Sequence, residues 1–175
     1  MTALERFRES KDQFFKGDPH SPLLPDQKED FEGLNYYPEN PDLRFNLEIA
    51  RFDEQNEIEM TTSTGDVAAY KRWGQITFPV EGEEVKLTVY AAVGGGGFFL
   101  PFMDGTNGSE TYDGGRYLEI DPRPDGSFDV DFNLAYNPYC AYNEYWSCPI
   151  PPKENRLTVK IEAGEKAFKS EVVEG

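Results

Sequence analysis

Hydrophobic side chains recur along this chain with two different periods. Leu4, Phe7, Lys11, Phe14 and Phe15 fall at helical intervals, behind a Thr2–Glu5 pair with capping-box spacing. Gly17 and Pro19 end that helix. Pro25 suits the first position of a second short helix in PDQKEDFE, closed by Gly33. Beyond it the period becomes two. Leu43, Phe45, Leu47 and Ile49 alternate with Arg44, Asn46 and Glu48, one apolar strand face and one wet one. Ile58 and Met60 repeat the pattern more weakly. Ile76, Phe78 and Val80 lead into Glu81-Gly82, and Val85, Leu87, Val89 and Ala91 lead away, a hairpin with Gly82 at the permissive turn position. Phe128, Val130, Phe132 and Leu134 alternate with polar residues, as do Leu157, Val159 and Ile161. The expected strands are therefore 43–50, 75–80, 84–91, 128–134 and 157–162, paired antiparallel. One polar face per strand and short links predict a mainly β fold, an antiparallel barrel or sandwich with short N-terminal helices across one end.

Three segments lack a period. Gly94 to Gly97 is a glycine run, expected to be a flexible hairpin tip. PFMDGTNGSETYDGG, from Pro101 to Gly115, is turn-rich. AYNPYCAYNEYWSCPIPPKENR, from Ala135 to Arg156, is a long stretch dense in aromatics, and long loops in compact domains are usually functional or disordered. Tyr136, Tyr139, Tyr142, Tyr145 and Trp146 argue against disorder.

Composition adds limits. A chain of 175 residues and 19.9 kDa suits one domain over 1–175, a helical segment 1–34 on a β core of 35–175. Aromatics at 14% are too abundant for a disordered chain. The net charge of −16 repels phosphate backbones and anionic lipid, so nucleic acid and membrane surfaces are poor partners. A generic solvated surface, adaptation to a high-salt cytoplasm and an acidic patch for a cationic ligand all remain open as its meaning. Met1 to Lys16 has no apolar core of signal-peptide length, and no stretch approaches the roughly 18 apolar residues of a membrane span. A cytoplasmic location is expected, which empties the Asn107-Gly108-Ser109 glycosylation pattern of meaning.

DGTNGSETYDGGRYL followed by DFNLAYNPYCAYNEYWSCPIPPKENRL resembles the paired signature of the family called domain of unknown function 1684. KDQFFKGDPHSPLLPDQKEDFEGLNYYP and TSTGDVAAYKRWG are similar to its N-terminal half, so the likeness covers roughly 5 to 166. Asn107 stands where that pattern usually has Ser. The resemblance implies no activity, cofactor or oligomeric state, but it marks polar positions: Asp104, Thr106, Glu110, Thr111, Tyr112, Arg116, Tyr117, Asp131, Asn133, Tyr136 and Asn137. Polar signature positions in loops point to a site. The same residue types also cross-link loops by bonding backbone.

The candidate chemistry follows from those positions. Glu110 and Asp131 are the candidate acid/base groups, and Arg116 the contact for an anion or carboxylate. Asp104, Thr106, Tyr112, Asn133, Tyr136, Asn137 and Trp146 complete a pocket for a small polar molecule between loops 104–117 and 131–148. Cys140 and Cys148, eight apart, are either a reactive or redox pair or small buried apolar side chains. Arg116 could lower a thiol pKa if the fold brings it close. A zinc site lacks ligands, and Gly108 occupies a position where a calcium loop needs oxygen, so no metal is expected. The glycine run lacks the Gly-Lys-Ser/Thr of a phosphate loop, and His20 sits in a turn. The alternative to a ligand site is a non-catalytic structural or interaction module, in which the same residues hold the long loop in place.

Overall fold

The computed structural model describes residues 2–93, 97–143 and 145–168. Helix α1, Ala3–Gly17, starts on a complete capping box: the Thr2 hydroxyl accepts from the Glu5 N–H at 3.0 Å, and Glu5 accepts from the Thr2 N–H at 2.9 Å. Helix α2, Pro25–Asp30, opens on its proline. Eight strands follow: β1 Arg44–Leu47, β2 Ala50–Arg51, β3 Glu57–Thr61, β4 Val67–Val80, β5 Glu83–Ala92, β6 Phe98–Phe102, β7 Arg116–Pro122 and β8 Phe128–Asp131. They form one antiparallel sheet in the order β1-β8-β7-β6-β5-β4-β2, with β3 also on β4.

The sheet curls into a half-barrel. Its concave face carries the alternating set Ile76, Phe78, Val80, Val85, Leu87 and Val89, joined by Leu100, Phe102, Leu118 and Ile120. Curling brings Phe45 of β1 to 5.2 Å, ring to ring, from Phe78 of β4, although the two strands are far apart in the hydrogen-bonded order. A bulge between Arg72 and Gly74 helps bend the long β4. Gly74 is required there, since a Cβ would stand 2.5 Å from Ile49 Cγ2 and 2.8 Å from the Ala50 carbonyl. The β4–β5 hairpin turns at Glu81 (φ 51°) and Gly82 (φ 83°), the double positive φ of a type I′ turn.

Several expectations about strands are corrected. Segment 43–50 is two strands: β1 pairs with β8, and β2 pairs with β4 at the opposite edge. The last strand of the 128–134 pattern stops at Asp131, whose side chain caps a 3-10 turn at Phe132–Leu134. Segment 157–162 is not a strand. Its alternation reflects burial of Ile161 against the sheet core, with backbone bonds from Leu157 N–H to the Met103 carbonyl and from Gly105 N–H to the Val159 carbonyl. Strand β6 enters the segment expected to be loop, and β7 follows it directly. Of the glycine run, Gly94, Gly95 and Gly96 lie outside the described residues.

No residue of α1 or α2 belongs to the main core cluster. Phe15 of α1 joins Leu23, Phe31, Leu34 and Tyr142 in a second, smaller apolar cluster. The long aromatic loop thus lies between helix and sheet.

Candidate ligand-binding cleft

Between α1 and the loop 136–148 lies an open cleft of about 700 Å³. Phe7, Lys11 and Phe14, one turn apart on α1, supply one wall; Tyr139 and Trp146 of the loop supply the other, over Tyr117 and Glu119 of β7. The Tyr139 and Trp146 rings meet edge to face at 5.0 Å. Phe7 and Trp146 remain 45% and 38% exposed at the mouth. Polar groups are few. The Lys11 ammonium pairs with buried Glu165 at 2.9 Å and lies 5.1 Å from the Tyr136 ring centre. The Tyr136 hydroxyl donates to Glu119 at 2.6 Å, and burial, then that carboxylate, pushes its pKa up. Asn137 is buried, donates through Nδ2 to the Lys166 carbonyl at 3.0 Å, and has no partner for Oδ1 among the described residues.

The loop is held from several sides, which keeps its rings in place. The Tyr142 hydroxyl donates to Glu165 at 2.6 Å, and Gln27 of α2 donates to the Tyr142 carbonyl at 2.6 Å. Asn143 and the Trp146 indole N–H both donate to the Pro22 carbonyl, at 2.9 and 3.2 Å. On the far side Ser63, in the β3–β4 turn, donates its N–H to the Cys148 carbonyl at 2.9 Å.

Two thiols sit at that end. The Cys140 N–H donates to Cys148 Sγ at 3.3 Å, and the Tyr112 hydroxyl donates to Cys140 Sγ at 3.5 Å. Both cysteines are free; Cys148 is buried and borders the cleft, while Cys140 is half-buried. The Cys148 thiol, then Tyr112 and Ser63, stabilise the Cys140 thiolate and bring its pKa down to about 6 against the opposing effect of burial. The same pairing pushes Cys148 up.

A separate group of polar side chains closes the core behind the cleft. Arg116 is 1% exposed, and its Nη1 donates to the carbonyls of Ala163 (2.5 Å) and Glu165 (3.2 Å). Its Nη2 reaches the Ile161 carbonyl at 2.8 Å and Asp104 at 3.4 Å, and the guanidinium lies over the Phe102 ring. Burial lowers the Arg116 pKa, with Asp104 opposing. Asp104 accepts from the Ile161 N–H at 2.5 Å and from Thr106 Oγ1 at 2.9 Å, and Thr106 meets Thr111 at 2.9 Å. The group fastens the C-terminal segment to the half-barrel.

A family model described as "Protein of unknown function (DUF1684)" matches residues 29–166. The chain belongs to this family. No curated protein matches it. Among solved structures, this DUF1684 chain is similar to an uncharacterised protein of Haloarcula marismortui determined by solution NMR, with 37% identity and a TM-score of 0.70. The match covers 93% of this chain and 91% of that one.

The candidate site residues of this DUF1684 protein divide. Tyr136, Asn137 and Trp146 line the cleft, with Cys148 at its border and Cys140 and Tyr112 beside that thiol. Asp104, Thr106 and Arg116 lie inside the protein, bonded to one another and to backbone. Arg116 is accordingly not the cation beside the thiols. Glu110 accepts from the Tyr37 hydroxyl at 2.5 Å and borders a small depression with Asn35 and Lys166. Asp131 accepts from Asn133 N–H and Nδ2 at 3.0 and 2.8 Å and faces Arg44 at 3.5 Å. Asn133 exchanges two bonds with the Asn40 backbone, at 2.8 and 3.0 Å. Glu110 and Asp131 are thus held in separate networks, neither of them in the cleft. Lys11, Glu119 and Glu165 were not among the expected site residues. Lys11 carried a signal, being a charge within the apolar stripe of α1; Glu165 carried none.

No helix among the described residues is long and apolar enough to cross a membrane.

Proposed function

We propose that the protein binds a small, largely apolar molecule with a ring, in the cleft between α1 and the loop 136–148. The observation that carries this is the aromatic lining on both sides of a cleft whose volume, about 700 Å³, is that of a small-molecule site. The Tyr139–Trp146 and Tyr117–Tyr136 pairs, each in edge contact, offer aromatic surface against which a flat group packs. The ligand class is more apolar than the loop's amide and hydroxyl content suggests, because Asn133 and Asn143 spend those groups on backbone. Binding without catalysis fits the same geometry, as Glu110 and Asp131 face elsewhere.

The neutral fluorescent probe N-phenyl-1-naphthylamine has two rings and one N–H. Its emission should rise on titration and saturate at one probe per chain. Phe7→Asp and Trp146→Asp, both at the exposed mouth, should weaken that binding at least tenfold, Phe7→Asp with the thermal midpoint little changed. Equal binding by both variants and the parent chain would overturn the reading.

A further inference from the structure

We propose that Cys140 and Cys148 form a dithiol that reduces a neutral organic hydroperoxide, with Cys140 as the attacking thiol and Cys148 as the resolving one. This goes beyond the cleft-binding reading and does not depend on it.

The geometry separates the two sulfurs by role. Cys140 is half-buried, and its sulfur accepts from the Tyr112 hydroxyl at 3.5 Å. A donor aimed at a sulfur stabilises its thiolate, which is the nucleophile in peroxide and disulfide chemistry. Cys148 is buried, and its sulfur is held against the Cys140 backbone N–H at 3.3 Å, with neither cysteine in a disulfide. The Ser63 side chain and backbone grip Cys148 from the β3–β4 turn, with the Cys148 N–H donating to Ser63 Oγ at 3.1 Å. The lowered Cys140 and raised Cys148 pKa values agree with this division. Tyr112 from the loop before β7 and Tyr117 on β7 are the titratable groups facing the pair, and Asp113 bears on Tyr112.

The reaction balances in two steps. The Cys140 thiolate attacks the terminal peroxide oxygen; an S–O bond forms, the O–O bond breaks, and the departing alkoxide takes a proton to leave as an alcohol. Cys140 is now a sulfenic acid. The Cys148 sulfur, giving up its proton, then attacks the Cys140 sulfur; an S–S bond forms, the S–O bond breaks, and hydroxide leaves with that proton as water. Two thiols are oxidised by two electrons and one hydroperoxide is reduced to an alcohol and water. A neutral oxidant is favoured over an anionic disulfide, because the chain carries a net charge of −16.

The test treats the reduced full chain with cumene hydroperoxide, following thiol content and intact mass. Both thiols should disappear together, with a mass loss of two hydrogens and a 140–148 disulfide within one chain on peptide mapping. Cys148→Ser should stop at a sulfenic acid on Cys140, captured by dimedone. Cys140→Ser should react at least tenfold more slowly. The wild-type rate should be half-maximal near pH 6, the pKa of the attacking thiol. Tyr112→Phe, which keeps both thiols, should move that midpoint upward. A wild-type rate no greater than that of N-acetylcysteine would overturn the proposal, as would faster reaction at Cys148 or disulfides formed between chains.

Discussion

Lys11 and Glu165 are ion-paired at 2.9 Å across 154 residues of sequence, with the glutamate side chain 1% exposed. Glu165 also accepts from the Asn137 N–H at 3.0 Å and from the Tyr142 hydroxyl, so one carboxylate ties α1, the aromatic loop and the chain's end together. Glu165→Ala should cost about 3–5 kcal/mol, because a lysine and two further donors lose their acceptor. Lys11→Met should also destabilise, leaving a buried carboxylate without its countercharge. The Lys11→Met/Glu165→Leu double variant should lose less than the sum of the two single changes, since apolar side chains replace a buried pair well. Urea unfolding of the four proteins measures this, and additive losses would contradict it.

Arg116 is placed as a fastener. Arg116→Ala should destabilise by about 3–5 kcal/mol, leaving Asp104 buried without its partner and three carbonyls without a donor. Arg116→Lys should rescue little, as an ammonium cannot span acceptors set out for a planar fork. Thermal unfolding decides it; near-wild-type stability in either variant would reopen a ligand-contact role.

Glu154 shows how acid should act on the contact between its 3-10 turn and the sheet. Arg72 grips it with two bonds, at 2.8 and 3.0 Å, and these hold its carboxyl below the ordinary value of 4.5. The folded protein therefore takes up this proton less readily than the unfolded chain. The interaction adds stability above pH 4.5, and this is lost as pH falls through the lower folded value. The thermal midpoint of the wild type should exceed that of Glu154→Gln near neutrality and converge with it in acid. A gap that persists unchanged at low pH would refute this.

Salt should act in the stabilising direction. With 33 acidic and 17 basic residues, like-charge repulsion dominates at low ionic strength. Screening shortens from about 30 Å at 0.01 M to about 3 Å at 1 M. The thermal midpoint should rise across that range of potassium chloride, and a flat response would show the charges to be too dispersed to matter.

The α1 cap and the β4–β5 hairpin were readable because their determinants are local: Thr2 and Glu5 three residues apart, Glu81-Gly82 between two alternating runs. Strand β6 was not readable from periodicity. Phe98–Phe102 is an unbroken apolar run, half-buried then fully buried, so no alternation marks it. Segment 157–162 failed in the opposite sense: it alternates, yet bonds to 103–105 in place of a ladder. A period of two reports which side chains are buried, not whether a neighbouring strand is present.

The family motif was legible as well, but not the division of its residues. Arg116 and Tyr136 look equally available for a ligand in the sequence, whereas one is sealed behind Phe102 and the other lines the cleft. The sequence by itself determined the helix start, the hairpin, the antiparallel β class and the acidic charge, because each follows from near neighbours or from composition. Tertiary structure decided the half-barrel curl, the cleft and the pairing of the thiols with Tyr112. A polar side chain bonds whatever acceptor or donor the fold brings to it, and for Lys11 and Arg116 those partners come from 12 to 154 residues away.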